Sequence, residues 1–285
     1  MKATAWRLLG ALAGGVGGIA LGLGITKGFG ANFGLGLLAL AGLILVCVIL
    51  YLVARTRTAP ESRAGEFMPG LLLGLNTGAN GVLIAALVGP IVAVVICVVP
   101  TLAIIEPVAR SEIYQAVLGW WNWILPMSWP IVAIGLLILI FSGILALVNL
   151  ATKSAFLTVE KLKMQAKTGT TFLVGGLGGN ANLNPDSTGF NMGTVAFIRH
   201  GKASDYLYAH ESGHTLNLGI WGAIVHLIGA LDENVFGGHN QAYTELFAES
   251  HVPQSSRLGP IFPMWGDPVG APATAPTPLT TPAHT

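Results

Sequence analysis

The chain predicts an α-helical polytopic membrane protein with about four transmembrane helices, followed by a small α+β domain. Three observations predict it. Of its 285 residues, 53% are hydrophobic and only 9% are charged, whereas a soluble domain carries about a quarter charged residues. The mean hydropathy is +0.68. The long apolar runs fall in residues 1–151, and the turn signals and polar residues gather in 152–252. Such a composition excludes an ordinary soluble enzyme, and the net charge of +1 leaves no electrostatic footprint for nucleic acid.

About 20 apolar residues suffice to cross a bilayer. Residues 6–25, rich in Gly and Ala, give a first span and residues 33–54 a second. The second run follows the first at once, so a retained anchor is expected rather than a cleaved signal peptide. Residues 68–105 exceed one span, and Asn76, Asn80 and several glycines weaken their first part. The third span is therefore placed at 81–105, after a re-entrant or interfacial turn. The alternative is a helical hairpin broken at Gly89-Pro90. Residues 106–129 read as interfacial, because Trp120, Trp121, Trp123 and Trp129 crowd there as amphipathic rings do at headgroup level. Residues 130–150 complete the set. Cys47 and Cys97 lie inside apolar runs, which argues against a disulfide framework.

Positive charge sets orientation. Lys2 and Arg7 sit at the start of the first span, Arg55, Arg57 and Arg63 follow the second, and Lys153, Lys161, Lys163 and Lys167 follow the last. Four spans put all three clusters on the cytoplasmic side of a bacterial-type inner membrane, with the C-terminal domain. Five spans would put the last cluster outside.

Within that domain, residues 152–168 read as a helical stalk and 170–175 as a short strand. Residues 175–189 form a loop with the turn signal Asn184-Pro185-Asp186. Its glycines lack the Lys-Ser/Thr of a phosphate loop. Residues 191–199 read as one strand. Ser204 or Asp205 can cap the next helix, expected to end near Leu218, with a separate apolar stretch over 220–231 that is too short to span. Residues 253–285, rich in Pro, Ala and Thr, are expected to be disordered.

The most specific stretch is His210-Glu211-Ser212-Gly213-His214, an H-E-x-x-H motif. On a helix, residues four apart share a face, so His210 and His214 can grip one zinc ion. Glu211 can then act as general base for a zinc-bound water. Catalytic zinc usually has three protein ligands and an open position. A third histidine six residues on is excluded, because that position is Ile220. Downstream, Ala-Tyr-Thr-Glu-Leu-Phe-Ala-Glu-Ser over 242–250 places Glu245 and Glu249 on one helical face. Glu245 is the candidate third ligand, and Glu249 the partner that orients a ligating histidine, His210 first.

H-E-x-G-H followed by T-E-x-x-A-E resembles the gluzincin clan of zinc metallopeptidases. It is similar to the CAAX-prenyl-protease-like and heat-shock membrane metalloproteases and to small bacterial membrane zincins. The resemblance covers roughly residues 191–250. It implies a zincin-like domain and a protein or peptide substrate associated with the membrane. It also implies Glu245 as zinc ligand and Glu249, in place of the usual Asp, beyond it. It further implies an edge strand at 192–198 along which an extended peptide pairs. Tyr243 and His239 are the first candidates to bind substrate or stabilise an oxyanion, with His251 and Tyr208 behind them.

Other polar residues have blander readings. His226 reads as a satisfied core or interfacial histidine, and Asp232 and Glu233 as solvated loop charges. Asn217 either faces the site or lies on the helix surface. Two other classes of function compete with a membrane-bound endopeptidase. One is a scaffold or sensor whose zinc is structural. The other is a transporter with an appended domain, in which Asn76 and Asn80 line a path.

Overall fold

The computed structural model describes residues 2–56, 63–181, 188–235 and, further on, Thr244, Glu245 and Ala248. Helix α1 (Lys2–Ala31) turns at Asn32 into α2 (Phe33–Thr56). The Asn32 side chain accepts from the Leu35 amide at 2.8 Å and so caps α2. Helix α3 (Arg63–Val88) then runs beside α1. Gly10, Gly14 and Gly18 face the carbonyls of Phe67, Leu71 and Leu75, and Gly70, Gly74 and Gly78 face those of Arg7, Ala11 and Gly15. A Cβ at any of these six would overlap backbone, so the two helices meet main chain to main chain, as small residues four apart permit. The contacts advance in the same sense along both, which makes α1 and α3 parallel. At their shared end Arg7 Nε donates to Glu66 at 2.6 Å, with both side chains buried.

Gly89, at φ 98°, ends α3, and Pro90 opens α4 (Pro90–Thr101). Only glycine adopts that φ without strain, and proline suits the first helical position. Helix α4 folds back along α3, with the Cys97 thiol 3.5 Å from the Thr77 carbonyl. This corrects the span placed at 81–105: the break falls at Gly89-Pro90, and α3 on its N-terminal side is the long helix. A short helix α5 (Glu106–Ala109), then α6 (Glu112–Trp121) and α7 (Trp129–Thr152) follow.

The helical stalk expected over 152–168 is instead strand β1 (Val159–Gln165). Its residues alternate every two positions, Lys161 and Lys163 against Leu162 and Met164, a pattern that suits a pleat better than a helix. Strand β2 (Thr170–Gly175) agrees with the sequence expectation and leads into the short helix α8 (Gly176–Asn180). Residues 191–199 do not form one strand. Gly193, at φ 81°, turns the chain between β3 (Gly189–Met192) and β4 (Val195–Ile198). The sheet order is β1-β2-β4-β3, with β2 and β4 parallel and both outer pairs antiparallel. The edge strand expected at 192–198 is therefore corrected: β4 is internal and β3 forms the edge.

One face of the sheet packs on α7, where Leu173, Val195 and Phe197 meet Leu136, Ile138 and Leu139. The other face packs on α9 (Asp205–Val235), where Phe172, Val174, Ala196 and Ile198 meet Leu207 and Tyr208. Helix α9 also packs against α2, α3 and α6. It joins the motif helix and the apolar stretch that were expected to be separate. Gly222 breaks its regular geometry at φ 76°, ψ 174°.

The break exposes main-chain groups that must find partners in a buried setting. Ala223 N–H donates to the Met127 carbonyl at 2.9 Å, and Asn76 Nδ2 donates to the Ile220 carbonyl at 2.9 Å. Asn80 donates to Asn76 Oδ1 at 3.0 Å and accepts from the Met127 amide at 2.9 Å. The two asparagines that interrupt the apolar run thus serve the bend in α9. Asp232, expected to be a solvated loop charge, is buried in α9 and accepts from the Tyr51 hydroxyl at 3.0 Å.

Among the described residues, five helices are long and apolar enough to cross a membrane: Ala5–Ala31, Phe33–Val53, Glu66–Val88, Trp129–Thr152 and Asp205–Glu233. This corrects the expected four. The added one is α9, whose apolar length was hidden by the polar motif at its start.

Candidate metal centre

Ser204 caps α9, its hydroxyl accepting from the Leu207 amide at 3.2 Å. One and a half turns on, His210 and His214 project from one face, with ring centroids 5.0 Å apart at 84°. Tyr206 stacks on His210 at 6.2 Å. The carboxylate of Glu245 closes the group. One oxygen lies 3.2 Å from His210 Nε2 and the other 3.2 Å from His214 Nε2.

Among the described residues, His210, His214 and Glu245 form a group able to hold a metal ion, their ligand atoms all within 4.8 Å of one another. The fit can be judged from ligand geometry. Two atoms each bound about 2.0–2.1 Å from a tetrahedral ion lie about 3.3 Å apart. The two 3.2 Å contacts match that spacing. Burial alone would raise the Glu245 carboxyl, but the charge of His214 and hydrogen bonds from His210 and His214 outweigh it and hold it well below the usual carboxylate range. Glu245 is therefore a carboxylate, the form a cation requires.

Glu211 is 2% exposed, and its Oε2 has no hydrogen-bond partner among the described residues. A buried polar atom left so is costly unless a water or ligand meets it. A Cβ at Gly189, the first residue of β3, would come within 2.7 Å of Glu211 Oε1. Only glycine leaves the carboxylate its room there.

The motif helix is pinned to the sheet from below. Thr170 Oγ1 donates to Thr215 Oγ1 at 3.0 Å, Thr168 Oγ1 to Ser212 Oγ at 3.2 Å, and Ser212 Oγ to Gln165 at 3.0 Å. From the edge strand, Asn191 Nδ2 donates to the Glu211 carbonyl at 2.8 Å and to Thr215 Oγ1 at 3.1 Å. The Asn191 carbonyl accepts from His226 Nε2 at 3.0 Å. His226 is a core histidine as expected, but only half satisfied: its buried Nδ1 has no hydrogen-bond partner among the described residues, and its ring lies 6.0 Å from that of His214. Tyr208 packs edge-on to Phe172 beneath Lys163, away from a role as oxyanion donor.

Asn217 does face the site. Its amide donates to the Thr244 carbonyl at 3.2 Å, one residue before Glu245. Thr244 is also seated against Gly229, where a Cβ would overlap its side chain. Glu249, Tyr243, His239, His251 and the segment 253–285 lie outside the described residues. Sequence reasoning did not single out Asn191, Thr215 or Gly189. The one available signal was Ser212 and Thr215, which make α9 polar on the face away from the metal ligands.

Comparison with known proteins returned no match: no family model matches the chain, and no curated protein or solved structure matches it.

Proposed function

We propose that the protein is a membrane-bound, zinc-dependent endopeptidase. The observation that carries the reading is the triad His210, His214 and Glu245 at coordinating distances, with the buried Glu211 beside it. Two imidazoles and one carboxylate suit zinc among the common divalent ions, and three protein ligands leave a position open. A bound zinc supplies Lewis-acid polarisation and a water acidified toward neutrality. Glu211, one residue from a ligand and free at Oε2 among the described residues, takes the proton from the attacking water and returns it to the leaving amine.

The long apolar helices cross the bilayer in this reading. Lys2 and Arg7 at the start of α1, Arg55 at the end of α2 and Arg63 at the start of α3 lie at one end of the antiparallel α1–α2 pair, the end that the positive-inside rule assigns to the cytoplasm. The substrate is then a protein or peptide held at or near the membrane.

The test uses the purified full chain in detergent with a library of internally quenched peptides. Cleavage should require zinc, vanish with a chelator and be lost in Glu211→Gln. Equal cleavage by Glu211→Gln would refute the role of that residue. No cleavage of any peptide by zinc-loaded wild type would favour a structural metal.

A further inference from the structure

Helices α1 and α3 meet main chain to main chain, and α4 folds back on α3, but a cleft of about 440 Å³ remains between α1 and α4. Its lining comes from residues 11–19 of α1, 73–85 of α3 and 90–101 of α4. At about 1.5 Å per helical residue, the stretch of α3 makes the cleft about 18 Å long. Small residues keep it open. Gly81 and Ala85 on α3 and Ala93 on α4 line it, and a Cβ at Gly15 on α1 would meet nothing within 4 Å.

The polar groups of the lining are turned away from the space. The Cys97 thiol donates to the Thr77 carbonyl at 3.5 Å, the Thr101 hydroxyl donates to the Cys97 carbonyl at 2.7 Å, and the Thr77 hydroxyl oxygen is itself buried. The mouth is apolar as well. Ile19 and Val94 line it and are 48% and 67% exposed, and Val16, Ile91 and Val95 are exposed on the same two helices. Residues 73–85 fall inside the candidate span Glu66–Val88. When α3 crosses the bilayer, the cleft is therefore open to hydrocarbon rather than to water.

We infer that the cleft holds an acyl chain of a bilayer lipid. Its length is close to the depth of one leaflet, about 15 Å of a hydrocarbon core about 30 Å thick. Its size excludes a helix from this protein or another. A helix with its side chains is about 10–12 Å across, and 18 Å of it fills roughly 1,400 Å³, about three times the cleft. Water gains nothing in an apolar cavity that offers it no polar partners. An acyl chain is thin and flexible, and in the cleft it makes the dispersion contacts that an empty space forfeits. Helix α4, with 12 residues, is too short to cross a bilayer and packs on α3 along one side. The lipid supports it on the other. The inference rests on the reading of α1 and α3 as membrane helices, and it does not depend on peptidase activity.

The test places the full-length protein in phosphatidylcholine vesicles with a trace of phosphatidylcholine that carries a diazirine midway along one acyl chain. Adducts formed on illumination are mapped by mass spectrometry. They should appear at Leu73, Ala93 and Cys97 in the cleft, as well as at Leu45, which is 60% exposed on α2. Gly15→Phe fills the cleft from α1 and should lose the first three adducts while keeping the one at Leu45. Gly81→Leu fills it from α3, where a Cβ lies 3.6 Å from the Cys97 sulfur, and serves if Gly15→Phe does not fold. Adducts at Leu45 with none in the cleft overturn the inference in favour of a cleft closed by protein. Cleft adducts undiminished in a folded filling variant overturn it too, because lipid then reaches those residues by another path. No adduct at Leu45 removes the membrane reading, and this inference with it.

Discussion

The side chain of Asn217 donates to the main-chain carbonyl of Thr244 at 3.2 Å, so the helix that carries both histidines also holds the residue before Glu245. The third ligand comes from a separate segment, and its position is set by α9 itself. Groups that orient metal ligands typically change metal affinity by about 10–100-fold when removed. Asn217→Ala should therefore weaken zinc binding by about tenfold or more, read by competition with a chromophoric chelator. Gly229→Ala, which drives a Cβ into Thr244, should do the same by displacing the segment.

Glu211 contributes no ligand atom to the triad. Glu211→Gln should keep the wild-type zinc content and lose hydrolysis by about 100-fold or more, the range for removing a general base. Paired metal analysis and peptide cleavage on one preparation check both halves. Loss of zinc would mean that the carboxylate holds the ion rather than the proton.

Zinc binding should fall on acidification. The histidines bind only as neutral imidazoles, so protons compete with the ion as the pH falls. Glu245 adds little to that loss near neutrality, because its carboxyl titrates well below the usual range. Occupancy followed by equilibrium dialysis should be flat above neutrality and decline below it. A decline confined to alkaline pH would contradict the ligand set.

The close approach of α1 and α3 makes a stability prediction. A methyl group at Gly74 would meet the carbonyl oxygen of Ala11, while one at Gly15 would have nothing within 4 Å. Gly74→Ala should destabilise the protein by about 1–3 kcal/mol, the usual cost of overpacking. Gly15→Ala should be silent. Thermal unfolding of the two variants in detergent separates them.

What the sequence made legible was local. His210, Glu211 and His214 lie within five residues, so helical periodicity alone brings them together. Glu245 was found through the spacing of a known motif. Ser204 as helix cap and 170–175 as a strand also follow from nearest neighbours. What escaped was long-range. Asn76 meets the carbonyl of Ile220 across 144 positions, and Asn191 meets that of Glu211 across 20. Neither contact leaves a periodic trace. The fifth long apolar helix was missed because the polar motif and Gly222 disguised one continuous α9. Residues 159–165 were expected to be part of a helical stalk, although the alternation of Lys161 and Lys163 with Leu162 and Met164 has a strand's period.

The central claim is that His210, His214 and Glu245 bind one zinc ion. Elemental analysis of the purified wild type beside His214→Ala and Glu245→Ala tests it most directly. The account predicts about one zinc per chain in the wild type and its loss in both variants, since three protein ligands are the usual minimum for such a site. A wild type that holds no zinc after purification with the metal supplied, or variants that retain it in full, would contradict the account.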